Sequence, residues 1–140
     1  MTRVDFYLLP DSQVEQQQLY ACRLTQKAVK QGLRVYIHTN SNEQSNALDE
    51  LLWSFSASSF VPHTLKAEDC AQHPVYIDHT GDPLDIHGVL INLSQQTPDC
   101  FTRFERLAEL VTQDETNKQA GRERFKFYKS RGYPLNTHKL

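Results

Sequence analysis

The sequence predicts an α/β fold in which a mainly parallel sheet lies between layers of helices. Segments with strand-like and helix-like patterns alternate along the chain, which is typical of this class. Residues 89–93 are almost continuously apolar, as expected for a strand that is buried on both faces of a parallel sheet. With 140 residues, 39% of them hydrophobic, the chain is long enough for one domain with its own core. We therefore expect a single domain over residues 1–140.

The beginning of the chain predicts a strand followed by a long helix. Residues 4–9 form a mostly apolar run that is typical of a first strand. The helix is expected over 13–31, because Asp11 or Ser12 can cap its start and Gly32 suits its end.

A second strand and a second helix follow after almost no loop. The strand is expected at 33–38. Ser41, with Gln44 three residues later, matches a capping box, so the second helix should begin there and extend to Trp53.

The middle of the chain predicts further strands and a third helix. A short extended segment is expected at 59–62, and strands are expected at 75–77 and 89–93. Apolar residues then recur at spacings of three and four, which predicts an amphipathic helix over 99–112.

The last helix is predicted over 117–131. Thr116 can cap its start and Gly132 can close it. Residues 133–140 are expected to form a tail.

The charge is divided unevenly along the chain. Residues 118–140 carry seven Lys/Arg and one acid (net +6), whereas the preceding 117 residues carry eight basic and 16 acidic residues (net −8). Four cations recur at spacings of 4, 4 and 3, which places them on one face of the last helix beside Phe125: Lys118, Arg122, Lys126 and Lys129. This basic stripe is consistent with recognition of an anionic partner, with a solvated helix face, or with direct binding of nucleic-acid phosphates.

Several kinds of site are disfavoured by the sequence. No glycine-rich phosphate loop follows the first strand, which argues against a nucleotide-dependent enzyme. Residues 73–87 contain three His and three Asp, but their spacing matches no common metal site and turn chemistry explains several of them. We therefore expect no catalytic residue, metal or cofactor. The three cysteines lack disulfide or zinc spacing, and no apolar run is long enough for a signal peptide or a bilayer span, which favours a cytoplasmic protein.

A second feature combines the single Trp of the chain with a Phe-Val-Pro sequence. Trp53 ends the second predicted helix, and Phe60, Val61 and Pro62 follow a polar stretch. The aromatic rings could fill the core at the edge of the sheet, or they could form a protein-binding surface.

Five segments occur in the order and spacing that characterise one protein family. They are Phe6-Tyr7-Leu8-Leu9, Leu48-Asp49-Glu50-Leu51-Leu52-Trp53, Ser59-Phe60-Val61-Pro62-His63, the strand at 89–93, and Arg122-Glu123-Arg124-Phe125-Lys126-Phe127-Tyr128 followed by Gly132-Tyr133 and Leu135-Asn136. In these segments the chain resembles the chi subunit of the bacterial DNA polymerase III holoenzyme, and the similarity is weakest at 66–88. The resemblance implies a three-layer Rossmann-like fold and a non-catalytic role in DNA replication. In this family, chi binds the psi subunit, which tethers chi to the clamp loader. Chi also binds the acidic C-terminal tail of single-stranded DNA-binding protein (SSB).

The resemblance also implies two binding surfaces. The tail site corresponds to Lys118, Arg122, Phe125 and Lys126, with Val111, Gly132, Tyr133 and Leu135 around it. The surface for psi, or for a helicase of the repair type, corresponds to Trp53, Phe60, Val61 and Pro62. Phe125 stands where the family often has Tyr, and the family's late Trp is absent. The alternative function is direct binding of single-stranded nucleic acid by the basic C-terminal helix.

Overall fold

A computed structural model describes residues 1–56 and 60–140. Ser59, the first residue of the segment predicted at 59–62, therefore lies outside the described residues. The described part of the chain forms seven strands, three α-helices and two short 3-10 helices, at Ala67–Gln72 and Asp99–Arg103. In chain order, the strands and α-helices are β1 Arg3–Leu8, α1 Val14–Lys30, β2 Val35–His38, α2 Asn42–Ser54, β3 His63–Thr64, β4 Val75–Asp78, β5 Val89–Asn92, β6 Arg106–Val111, α3 Glu115–Ser130 and β7 Leu135–Lys139.

The strands form one parallel sheet in the order β3-β4-β2-β5-β6-β1-β7. Helices α1 and α2 cover one face of this sheet, and α3 covers the other. Within β2, Val35 and Ile37 pack with the residues of α1 and α2, whereas Tyr36 packs on the α3 side. This alternation follows from the two-residue period of a strand. The predicted three-layer Rossmann-like α/β fold is confirmed, with all described strands parallel.

The capping prediction for α2 is confirmed. Ser41 Oγ accepts a hydrogen bond from the backbone N–H of Gln44 at 3.1 Å, and Gln44 Oε1 accepts one from the N–H of Asn40 at 2.7 Å. The predicted glycine ends are also confirmed, because Gly32 and Gly132 both have φ of +80° after α1 and α3.

The capping predictions for the other two helices are wrong. Helix α1 begins after Gln13, which makes no side-chain capping bond, so Asp11 and Ser12 both lie before the capping position. The Asp11 carbonyl instead accepts from the Gln113 N–H at 2.8 Å. Helix α3 begins after Asp114, whose carboxylate accepts from Asn117 N–H at 3.1 Å. Thr116 therefore lies inside the first turn of the helix and does not cap it.

The helix predicted over 99–112 is wrong. The segment forms the 3-10 helix Asp99–Arg103 and then β6, which lies between β5 and β1 in the middle of the sheet. Ala108 and Leu110 pack on the α1 side, whereas Leu107 and Val111 pack on the α3 side. A strand buried on both faces is apolar at nearly every position. In such a run, apolar residues are necessarily also found three and four positions apart, which imitates the pattern of an amphipathic helix.

The prediction of an unstructured tail over 133–140 is also wrong for most of these residues. Residues Leu135–Lys139 form β7, an edge strand that pairs in parallel with β1 from Val4↔Leu135 to Leu8↔Lys139. Its residues are mostly exposed. An edge strand with two polar faces shows no alternation of apolar and polar residues in its sequence. This strand is therefore recognisable only from its hydrogen-bonded pairing with β1.

The cysteines agree with the expectation of unpaired thiols. Cys22, Cys70 and Cys100 are free and buried. Burial raises the pKa of Cys22 to about 12, so its reactive thiolate form is disfavoured. Among the described residues, no helix is long and apolar enough to cross a membrane.

Candidate functional site

A groove lies between α3 and the strands β1 and β7, and we call it the α3 groove. Its volume is about 290 Å³. The residues that line it are Phe6, Leu8, Val111, Gln113, Lys118, Gly121, Arg122, Phe125 and Thr137. Four of the eight residues predicted for the tail site, Val111, Lys118, Arg122 and Phe125, are thus brought together.

The floor of the α3 groove is apolar. Phe6 of β1 lies in edge-to-face contact with Phe125 of α3, with ring centroids 5.2 Å apart. Gly121 allows the helix to lie close to β6, because a Cβ at this position would be 2.9 Å from a methyl carbon of Val111. The groove therefore depends on the missing side chain of Gly121.

The rim of the α3 groove is positively charged. Lys118 and Arg122 lie one helical turn apart, and Lys126 and Lys129 continue the same basic stripe toward the end of α3 as exposed side chains. None of these four side chains forms an ion pair with another described residue. Glu123 lines a separate groove on the other side of α3, so the stripe is not neutralised by it.

Arg124 is not part of the basic stripe, although it contributes to the charge of the C-terminal segment. Its guanidinium is buried, with Nε 3.0 Å from Oε1 of Glu109 in β6 and Nη1 donating to the Gln95 carbonyl at 3.0 Å. Tyr128 donates to Glu109 Oε2 at 2.6 Å, and Asn92 donates to Glu109 at 3.1 Å. This buried cluster attaches the inner face of α3 to β6.

Burial raises the pKa of the Glu109 carboxyl, whereas Arg124 and the donated hydrogen bonds act in the opposite direction. Burial and the neighbouring Glu109 also raise the pKa of Tyr128. Because Arg124 and Tyr128 point into the core, Phe125, which lies next to Tyr128 on the helix surface, and Arg122, which lies opposite Arg124, are directed toward the groove. The cluster therefore sets the rotation of the helix that carries the site.

The other four predicted tail-site residues do not line the α3 groove. Lys126 is exposed one turn beyond Arg122. Gly132 and Tyr133 form the turn between α3 and β7, and the Tyr133 ring packs edge-to-face on Phe101 at 5.1 Å. Leu135 is half-buried at the start of β7. These residues surround the end of α3 rather than the groove itself.

Sequence reasoning missed five residues of the groove: Phe6, Leu8, Gln113, Gly121 and Thr137. Gly121 carried a usable signal, since a glycine inside a helix often marks close packing. Thr137 carried none, because its segment was expected to be a tail.

The second predicted surface is an exposed aromatic pair, which we call the Trp53–Phe60 patch. Trp53 is 59% exposed and Phe60 is 56% exposed, and their rings stack with centroids 4.8 Å apart. The interpretation that both rings fill the core is therefore wrong. Val61, in contrast, is only 2% exposed and belongs to the core, while Pro62 is half-buried.

His63 holds the chain beneath this patch. Its Nδ1 lies 2.6 Å from the Val61 carbonyl oxygen, and its Nε2 lies 3.1 Å from a carboxylate oxygen of Asp49 in α2. The Trp53 ring packs edge-to-face on the His63 ring at 5.1 Å. These contacts join α2 to the segment that presents Phe60.

The two surfaces lie at opposite edges of the sheet. The Trp53–Phe60 patch adjoins β3, the first strand in the sheet order, whereas the α3 groove adjoins β1 and β7, the last two. Strands are about 4.8 Å apart, so the six intervals from β3 to β7 span about 29 Å. The surfaces also flank different helix layers.

Comparison with known proteins identifies the family. The model of the family described as "DNA polymerase III chi subunit, HolC" matches residues 1–136. The chain belongs to this family. A protein of Pseudomonas aeruginosa named DNA polymerase III subunit chi is 42% identical over 140 residues, which cover 100% of this chain and 98% of that protein.

Two further relatives carry the same name. The Escherichia coli protein is 32% identical over 154 aligned positions, covering 98% of this chain and 97% of the relative. The Haemophilus influenzae protein is 31% identical over 138 positions, covering 96% and 95%. The family resemblance inferred from the sequence is thereby confirmed over essentially the whole chain, and the chain is a replication accessory subunit of DNA polymerase III.

Proposed function

We propose that this chain is a non-catalytic adaptor that binds the acidic C-terminal tail of SSB in the α3 groove and the psi subunit on the Trp53–Phe60 patch. It would thereby link the clamp-loader side of the polymerase to SSB-coated single strands in the bacterial cytoplasm. The observation that carries the proposal is an apolar groove whose cationic rim has no acidic partner among the described residues.

The chemistry of the α3 groove fits a peptide that ends in aspartates, a proline and a terminal phenylalanine. The terminal Phe ring would pack between Phe6, Gly121 and Phe125. Arg122 can hold the terminal carboxylate through paired N–H donors, and Lys118 stands one turn away. Lys126 and Lys129 would attract the aspartates that precede the Phe, as exposed charges do over short range.

The experiment is a titration of a fluorescently labelled peptide of this kind. Replacement of Arg122 by Glu should lower the affinity more than tenfold, because it removes one charge-assisted contact and adds repulsion. The matched control is Glu123→Ala on the other side of α3, which should change the affinity by less than twofold. Equal binding by wild type and Arg122→Glu would refute the assignment of the site.

A peptide control tests the groove itself. The same peptide with its C-terminal carboxylate amidated should bind more weakly to wild type, and the neutral variant Arg122→Gln should no longer distinguish the two peptides. If amidation has no effect on wild type, Arg122 does not hold the terminal carboxylate.

The assignment of psi rests on the Trp53–Phe60 patch. Exposed, stacked aromatic rings held by a fixed backbone are common anchors of protein interfaces. Co-purification of psi with wild type, and its loss with Trp53→Ala, is the expected result. Retention of psi by this variant would place the psi interface elsewhere.

The alternative function, direct binding of single-stranded nucleic acid by the C-terminal helix, has less support. Such sites combine cations with several exposed rings along a track. On the groove side of α3, Phe125 is half-buried against Phe6 and leaves little exposed ring surface for stacking.

A further inference from the structure

A second groove lies on the opposite face of the sheet, between α1 and the strands β1, β6 and β7. We call it the α1 groove, and its volume is about 280 Å³. Strand β1 contributes to both grooves, because Phe6 and Leu8 face α3 whereas Arg3, Asp5 and Tyr7 face the α1 side. The two grooves therefore share the strands β1, β6 and β7 but no side chain.

The α1 groove is cationic within an otherwise acidic part of the chain. Arg3, Lys27 and Arg106 line it with exposed side chains, and Asp5 is the single carboxylate among its described lining residues. Arg3 and Arg106 are register partners on the neighbouring strands β1 and β6, so two like charges stand side by side. Such a pair is repulsive unless an anion lies between them.

Asp5 neutralises only part of this charge, through an ion pair with Arg3. One of its carboxylate oxygens accepts from Arg3 Nε at 3.3 Å, and the other lies 3.1 Å from His138 Nε2. The two terminal nitrogens of Arg3 remain available, and Arg106 and Lys27 form no ion pair with a described residue. Glu105, the chain neighbour of Arg106, lines a different surface.

Aromatic rings continue the groove along β1. The Tyr7 ring stacks on the imidazole of His138 with centroids 4.7 Å apart, and Tyr20 of α1 lies 5.5 Å from Tyr7. Tyr7 lies four positions after Arg3, which is about 13 Å along a strand. The groove thus presents cations at one end and the stacked pair of Tyr7 and His138 at the other.

We propose that the α1 groove binds a short stretch of single-stranded nucleic acid, with phosphates on Arg3, Arg106 and Lys27 and a base against the exposed ring of His138, which stacks on Tyr7. Sites for single strands join a cationic track to rings on which bases stack. A free nucleotide is a poorer match, because the described residues that line this groove include no glycine-rich turn and no helix N-terminus. The proposal is independent of the tail-binding function, since it uses the other face of the sheet.

The test is fluorescence anisotropy with a labelled oligothymidylate of about ten nucleotides at low salt. The variant Arg3→Gln/Arg106→Gln should lose at least tenfold in affinity, and the slope of log affinity against log salt should become shallower by about 1.4, for two phosphate contacts. The matched control Arg122→Gln/Lys126→Gln removes the same charge from α3 and should lose less than threefold. An equal or larger loss in the control, or no loss in the first variant, would overturn the proposal.

A second measurement reports on the rings. The His138 ring signals in nuclear magnetic resonance spectra should shift with the oligonucleotide, and Tyr7→Leu should weaken binding severalfold while melting close to wild type. Inorganic phosphate, a mononucleotide and the acidic peptide serve as competitors. If a mononucleotide competes as well as the oligonucleotide, or the acidic peptide shifts the same signals with similar affinity, the assignment to a nucleic-acid strand is refuted.

Discussion

Replacement of Arg124 by Leu tests the buried cluster that holds α3 against the sheet. Arg124 is 3% exposed and Glu109 is fully buried, so solvent screens their interaction very little. Removal of one partner of such a pair leaves a buried, uncompensated charge, which costs about 3–5 kcal/mol of unfolding free energy. For a domain of this size, each kcal/mol corresponds to about 3–4 °C, so the melting temperature should fall by about 9–20 °C at neutral pH.

The loss of stability in Arg124→Leu should be smaller at acidic pH than at neutral pH. Burial already raises the pKa of Glu109, and Arg124 is the largest of the influences that lower it. In Arg124→Leu the folded-state pKa of this carboxyl should therefore rise further above its ordinary value of 4.5. A raised carboxyl pKa stabilises the fold below the unfolded-state value, and that stabilisation is lost as the pH rises through the folded-state value. The variant should consequently be closer to wild type at about pH 5 than at about pH 7.5.

The assay is thermal melting followed by circular dichroism at both pH values. The control is Arg122→Leu, an exposed residue of the same helix, which should melt within about 2 °C of wild type. Addition of Glu109→Gln to Arg124→Leu should recover at least half of the loss, because the neutral amide can still accept from Tyr128. A variant that melts within about 3 °C of wild type at neutral pH, or that loses more stability in acid, would show that the cluster does not hold α3.

Three further predictions concern the two binding surfaces. Phe60→Ala should abolish psi binding with less than about 1 kcal/mol of lost stability, since the ring is exposed; a loss of about 3–5 kcal/mol in a melting experiment would mean that the ring is a core residue. Gly121→Val should weaken the SSB tail peptide more than tenfold, because its side chain would collide with Val111 and enter the α3 groove; unchanged peptide affinity would contradict the groove as the site. The peptide affinity should be the same within about twofold with and without psi, since the surfaces lie at opposite sheet edges, and it should fall with added salt; strong competition in a titration would mean that the sites overlap.

The separation of the two surfaces follows from the order of the strands. Strands β1 and β7 lie at one edge of the sheet although they come from opposite ends of the chain, and the α3 groove forms where α3 covers them. Strand β3 lies at the other edge, next to the end of α2 that carries Trp53. A sheet between the two sites is consistent with the proposed adaptor, which would hold two partners at the same time.

Local sequence patterns determined much of this protein. The α/β class, the capping of α2 by Ser41, the glycine ends of α1 and α3, and the face of α3 that carries Lys118 and Arg122 were all predictable. Each depends on interactions within a few residues of the chain, such as capping bonds and helical periodicity. The order and spacing of five short segments also indicated the family that the family model confirms.

Other features were decided by the tertiary structure alone. Residues 106–111 were expected to be helical, yet they form a central strand because β5 and β1 pair with both of their edges. Residues 135–139 form a strand because the exposed edge of β1 accepts them. Nothing in the local sequence distinguishes Arg124 from Arg122. In the structure, Arg124 is buried in an ion pair with Glu109, whereas Arg122 lines the α3 groove. Pairing partners and buried ion pairs join residues far apart in the chain, and no local pattern of residues encodes them.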